Sequence, residues 1–268
     1  MRLLAAILMI IFAAGQVHAN QPLVSVDWLQ SKLDDKSVVI VDLRNKIDKG
    51  GIEVFRNGHI PGSIHSDYLK AGWRVTKNNV PGLLPQQADF EKLVSELGIF
   101  NTNHVVLVPA GVSSSDFGSS ARAYWQFRVY GHDRVSILDG GYAAWAKAVP
   151  NHVERGDGKS PTPAVFDATF RPDLFVDTME VASIAKEGAA ILLDGRNEPQ
   201  WKGKAKHPVA QSPGRIPGST WQWQGDSYDE STNRLKSRSA LAGVYKSVND
   251  GPVISYCNTG HWAATNWF

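Results

Sequence analysis

Cysteine is almost absent: the 268 residues hold one, Cys257. A lone thiol excludes an intramolecular disulfide and any cysteine-rich zinc site. Neither sign of charge is in excess, with 28 Lys and Arg against 26 Asp and Glu and a formal net charge of +2. That balance argues against a nucleic-acid binder steered by a basic face. Glycine (24) and proline (14) are neither enriched nor periodic, which excludes collagen-like and low-complexity chains. The eight histidines are scattered, without the paired helical spacing of a metal site. What is present is 43% hydrophobic, over a length that is a prior for two domains.

Only the amino terminus carries a long apolar run. Arg2 precedes an unbroken apolar stretch over 3–14, and Val17-His18-Ala19 ends in a small residue before Asn20. This pattern predicts an export signal over 1–19, and a periplasmic location if the source is bacterial. The run is short for a membrane span, and no cysteine follows it to take a lipid. The expectation is therefore no stable membrane anchor after cleavage. Cleavage removes Arg2 and no acid, leaving 27 basic against 26 acidic residues and a mature charge of +1.

The rest of the chain repeats itself. Val38-Val39-Ile40-Val41-Asp42-Leu43-Arg44-Asn45 returns as Ala190-Ile191-Leu192-Leu193-Asp194-Gly195-Arg196-Asn197, 152 positions later. Gly58-His59-Ile60-Pro61-Gly62-Ser63 returns as Gly214-Arg215-Ile216-Pro217-Gly218-Ser219, 156 later. The helical spacing of Phe90, Leu93, Val94 and Leu97 recurs at Leu241, Val244, Tyr245 and Val248. Val106-Leu107-Val108-Pro109-Ala110 lines up with Val253-Ile254-Ser255-Tyr256-Cys257 at 147. Four matches in one order indicate a duplicated domain.

Each copy alternates short apolar runs with amphipathic stretches. Strands are expected over 38–42, 105–108 and 135–138, and helices over 88–97, 121–130 and 142–147. Buried strands separated by helices predict an α/β fold: two tandem domains, each a mainly parallel sheet with helices on both faces. Residues 151–170 read as a linker, with the polar, Gly- and Pro-containing stretch 151–163 at their head. That puts the first domain at 23–150 and the second at 171–268. Aligning Trp125 with Trp267, at 142, would place a further strand and helix near 277–287, beyond Phe268. The second domain is thus expected to be C-terminally shortened by about twenty residues on the repeat arithmetic.

Reactive groups in such sheets sit where a strand ends in a crevice. Cys257 follows the strand 252–256 and leads into Asn258-Thr259-Gly260-His261-Trp262, and no Asp or Glu occurs over 251–268. Successive backbone N–H groups and a helix N-terminus there would favour a thiolate.

The order Asp-x-Arg, Gly-x-Ile-Pro-Gly-Ser, then strand–Cys–loop–helix resembles the rhodanese-type sulfurtransferases. The likeness runs through both copies from about Leu23, and Asp139-Gly140-Gly141-Tyr142-Ala143-Ala144-Trp145 resembles the family's closing motif. The resemblance implies that Cys257 is the nucleophile and that Asn258, Thr259, Gly260, His261 and Trp262 form its amide cradle. It further implies that Arg196 faces the anionic group of a sulfur donor such as thiosulfate. A cysteine persulfide would then pass its sulfur to cyanide, another thiophile or a protein acceptor, in two covalent steps. No metal or organic cofactor is implied. Ala110 holds the cysteine position of the first copy, so that copy cannot form a persulfide.

Asp194, and Asp42 with Arg44 in the first copy, read as structural, and Arg215 as mainly a brace for its turn. The loop departs from thiosulfate-preferring relatives, whose cysteine is followed by basic residues; here Asn258 and Thr259 are neutral. The second arginine of mercaptopyruvate-preferring relatives is also missing from Asn197-Glu198-Pro199-Gln200-Trp201. His261 reads either as a part-time positive charge or as a loop histidine that is merely hydrogen-bonded, and Trp221, Trp223 and Trp262 either as pocket walls or as packing. The competing functions are a persulfide carrier or docking protein that does not turn over, and 3-mercaptopyruvate as preferred donor. A cysteine phosphatase is disfavoured because Ala263, not arginine, stands six positions after Cys257.

Overall fold

The computed structural model describes residues 21–248 and 251–268; the leader expected over 1–19 lies outside the described residues. In the first copy five parallel strands lie in the order Leu23–Val24, Val135–Leu138, His104–Val108, Val38–Asp42, Ile64–His65. Alternate side chains of the central strands feed two separate cores. Val39, Val41, Val105 and Leu107 join one, with Trp73, Phe90 and Phe127. Ile40, Val106 and Val108 join the other, with Leu29 and Trp145. Burial on both faces is why these strands read as unbroken apolar runs. Helix Gln87–Glu96 lays Phe90, Leu93 and Val94 on the first core.

The second copy repeats three of those strands in the same order: Val253–Tyr256, Ile191–Asp194, Thr220–Trp221, all parallel. Each Ile-Pro-Gly-Ser string is a tight turn feeding the outer strand. Proline fixes the second position, and Gly62 (φ 73°) and Gly218 (φ 76°) take the left-handed third. The turn closes through Ser63 N–H to the Ile60 carbonyl (3.0 Å) and Ser219 N–H to the Ile216 carbonyl (3.2 Å).

Several boundaries differ from expectation. The helix expected at 121 begins at Ser114 and runs to Val129, capped by the Ser113 hydroxyl on Asp116 N–H. Its first turns, Ser-Ser-Asp-Phe-Gly-Ser-Ser, have no apolar stripe because both copies bury them. Its counterpart His261–Trp267 starts 147 positions later, which pairs Trp267 with Ser120 rather than with Trp125. Helix Arg238–Val244 stops short of Val248. Residues 151–170 hold no regular element and run across the first copy, with Lys159 N–H on the Ser63 carbonyl and Thr169 N–H on the Tyr130 carbonyl.

Helices Ser114–Val129 and His261–Trp267 join the two copies. Gly118 lets them meet: a Cβ there would sit 3.0 Å from the His261 carbonyl oxygen. Phe268 packs edge-on against Tyr124 and Phe117, with ring centres at 4.9 and 5.6 Å. The cysteine loop therefore lies against the first copy.

Candidate active site

Cys257 is half-buried at the carboxyl end of strand Val253–Tyr256. The chain then turns through Gly260 (φ 92°), whose N–H donates to the Cys257 Sγ at 3.1 Å. Among the described residues this is the one backbone N–H that reaches the sulfur. Of the cradle expected from Asn258 to Trp262, the Gly260 N–H is the one within hydrogen-bond distance of the sulfur, and His261 and Trp262 open the following helix.

The sulfur opens on a cavity of about 350 Å³ shared with Arg196, Ser212, Gly214, Arg215, Ile216 and Tyr256. Arg196 is buried and held by its own copy. Its Nε and Nη2 donate to the Asp194 carboxylate, the latter at 2.6 Å, and Nη2 also donates to the Gly214 carbonyl at 2.8 Å. Arg44 makes the same brace in the first copy, to Asp42 and the Gly58 carbonyl. A contact repeated where no cysteine exists is architectural, so Arg196 combines a brace with a place on the cavity wall. Hydrogen bonding and charge from Asp194 raise its pKa, which keeps the guanidinium charged. Arg215 is exposed, holds its guanidinium 4.3 Å over the Trp201 ring and is the second arginine among the residues lining the cavity.

The first copy fills the matching place with a carboxyl group of its own. Asp116 accepts from the N–H groups of Ala110 (3.0 Å), Gly111 (2.6 Å) and Val112 (3.2 Å). These successive amides form a nest of the kind that binds anions. Burial pushes the Asp116 carboxyl up to about 7, aided by the Asp48 charge and opposed by the three N–H donors.

The remaining expected site residues have other partners. Asn258 donates through Nδ2 to the Gln200 side chain (2.7 Å), and Thr259 is pressed by Gly82 of the first copy. The Trp262 indole N–H donates to the Ser115 hydroxyl across the junction (2.9 Å), so Trp262 clasps the copies instead of walling the cavity. Trp221 stacks on Trp201 and donates to the Arg196 carbonyl. His261 is not a part-time cation. Burial, with the charges of Arg74 and Arg122, lowers its pKa to about 4, so the ring is neutral near pH 7. Arg122 escaped the sequence reading: it lines a second cavity of about 430 Å³ that also reaches Cys257. No string near the cysteine announces a residue 135 positions upstream. Among the described residues no cluster of three or more His, Cys, Asp or Glu could hold a metal ion, and no helix is long and apolar enough to cross a membrane.

The profile of the Rhodanese-like domain matches residues 25–148. A Mycolicibacterium smegmatis protein with a provisional thiosulfate sulfurtransferase name is 30% identical over 258 residues, covering 92% of this chain and 86% of its own. Thiosulfate/3-mercaptopyruvate sulfurtransferase 2 of Arabidopsis thaliana is 29% identical, covering 91% and 77%. The crystal structure of SseA from Escherichia coli, described as a 3-mercaptopyruvate sulfotransferase of rhodanese fold, superposes with a TM-score of 0.74 at 25% identity over 92% of both chains. The chain belongs to the rhodanese-type sulfurtransferases. It is an enzyme of sulfur transfer built from two copies of that fold.

Proposed function

We propose that this sulfurtransferase takes the outer sulfur of thiosulfate onto Cys257 and passes it to cyanide or another thiophile. The Cys257 thiolate attacks the sulfane sulfur, the S–S bond of the donor breaks, and its electron pair leaves on sulfite. The resulting persulfide is an anion, as the thiolate was, so Gly260 N–H serves both states. Cyanide then takes the outer sulfur as thiocyanate, and the pair from that bond returns to Cys257. Arg196 and Arg215 bind the donor's oxyanion, since guanidinium N–H forks match sulfonate oxygens.

The observation that carries this reading is the single half-buried thiol opening on a cavity lined by two arginines. A carboxylate donor such as 3-mercaptopyruvate fits the same forks, and the Arabidopsis relative carries both donors in its name. Turnover separates the two, because thiosulfate releases sulfite and mercaptopyruvate releases pyruvate. With thiosulfate and cyanide, the full-length chain is expected to form thiocyanate with ping-pong kinetics, and Cys257→Ser to form none. Thiocyanate production by the serine variant would end the proposal. Sulfur loading without multiple turnovers would favour a carrier that delivers to a protein partner.

Residues 1–19 fit an export signal in composition, and 151–170 fit a linker between a first domain at 23–150 and a catalytic domain at 171–268. We place the mature enzyme in a bacterial periplasm, where Cys257, as the sole cysteine, has no second thiol in the chain to close a disulfide with.

A further inference from the structure

Arg122 is an uncommon residue: 8% exposed, in the helix Ser114–Val129 of the copy that has no cysteine. Its Nε has no hydrogen-bond partner, and Nη2 makes one long contact to the Gly82 carbonyl (3.4 Å). Among the described residues no carboxylate pairs with it. Its Cζ lies 4.5 Å over the Trp125 ring, an aromatic face that orients the guanidinium without neutralising it. A buried cation left unpaired costs several kcal/mol as an order of magnitude, so an anion is expected beside it.

Arg122 points at the cysteine loop. Its guanidinium is seated on Gly260, close enough that a Cβ on that glycine would collide with it, at 2.9 Å from Cζ. Gly260 is the residue whose N–H holds the Cys257 sulfur. Arg122 and Cys257 also face the same cavity of about 430 Å³. The titratable neighbours are Tyr68, Arg74, Tyr130 and His261, and Asp173 and Asp177 line the same cavity without forming an ion pair with Arg122. Arg74 stacks on Tyr68, Tyr68 meets His261 edge-on, and neither ring brings a carboxylate. Burial lowers the Arg122 pKa, and the like charge of Arg74 adds to that fall.

We propose that Arg122 is a positioning residue of the sulfur-transfer site, supplied by the copy that lost its nucleophile: seated on Gly260, it provides the positive charge that holds the Cys257 sulfur as an anion, first as thiolate and then as persulfide. The loop 258–262 carries no Lys or Arg, and the cation comes from the other copy. This accounts for what the first copy contributes although Ala110 stands in its cysteine position. The inference rests on Cys257 being the sulfur-carrying residue.

The test compares wild type, Arg122→Gln and Arg122→Lys in the full-length chain. Cys257 is alkylated at neutral pH by neutral iodoacetamide and by anionic iodoacetate. The glutamine variant is expected to lose rate with iodoacetamide, as the thiolate fraction falls, and to lose still more with iodoacetate. Lysine is expected to retain most of both rates, a rescue that a merely packing role would not produce. Arg122→Met, which suits the slot beside Trp125, replaces glutamine if that variant does not fold. Unchanged rates and an unchanged iodoacetate-to-iodoacetamide ratio in the uncharged variant would overturn the proposal. So would failure of lysine to rescue, or unfolding of both uncharged variants, which would make the charge a folding device. Sulfur uptake by wild type serves as the control. A wild type that takes no sulfur from any sulfane donor refutes the proposed function, whereas normal uptake alongside an indifferent Arg122→Gln refutes only this inference.

Discussion

At Asp116 two physical demands oppose each other. Burial favours the neutral acid, while three backbone N–H groups favour the carboxylate, and burial prevails far enough to lift the group to about 7 from an ordinary 3.8. The native chain then takes up this proton at a higher pH than the unfolded chain does. The group's contribution to stability is therefore complete below about pH 4 and is lost as pH rises through about 7. Asp116→Asn is expected to remove that slope and to cost about 1–3 kcal/mol at neutral pH, since an amide NH2 would face the N–H groups of Gly111 and Val112. Urea unfolding of both proteins from pH 4 to 8 checks it, and parallel stability curves would contradict it. At the other cavity, Arg215 is exposed and rests only on Trp201. Arg215→Met is expected to raise KM for thiosulfate roughly tenfold, the worth of one charge-assisted hydrogen bond, while leaving Tm nearly unchanged. An unaltered KM would remove Arg215 from the donor site. Cys257 and Arg196 were legible in the sequence because each sits inside a repeated string. Asp116 and Arg122 were not, because their roles arise from what the fold brings beside them.

Among the elements, the helix pair Ser114–Val129 and His261–Trp267 sets the position of the cysteine loop. Their approach depends on Gly118, where an added Cβ would also stand 3.2 Å from the Thr265 hydroxyl. Gly118→Val is expected to push the helices apart, at about 1–3 kcal/mol, and to slow sulfur uptake by shifting His261 and Gly260. Thermal melting and uptake rate read the two effects, and a lowered Tm with normal uptake would separate the helix contact from the chemistry. The strands were readable as apolar runs because both faces of each sheet are covered, and the Ile-Pro-Gly-Ser turns because proline and a left-handed glycine leave few conformations open. Helix Ser114–Val129 was read seven residues short, because burial on nearly every side removes the amphipathic stripe by which a surface helix is recognised. The part-time charge expected of His261 fails for a related reason: the sequence shows an imidazole near the cysteine but not the first copy that buries it.

For the whole molecule, duplication divides the labour. The first copy shares the sheet and the Asp–Arg brace, but its amide nest is filled by Asp116 and its cysteine position by Ala110. It packs against the other copy's cysteine loop through Gly82 on Thr259 and Arg122 on Gly260, and Ser115 clasps Trp262. The tandem plan was visible in the repeats, whereas the way one copy completes the other is a property of their packing. The account's central claim is that Cys257 carries transferable sulfur, and intact-mass measurement tests it most directly. Incubating the full-length chain with thiosulfate should add one sulfur atom at Cys257, and cyanide should remove it. A chain that gains no mass from any sulfane donor, or gains it equally when Cys257 is serine, would contradict the account.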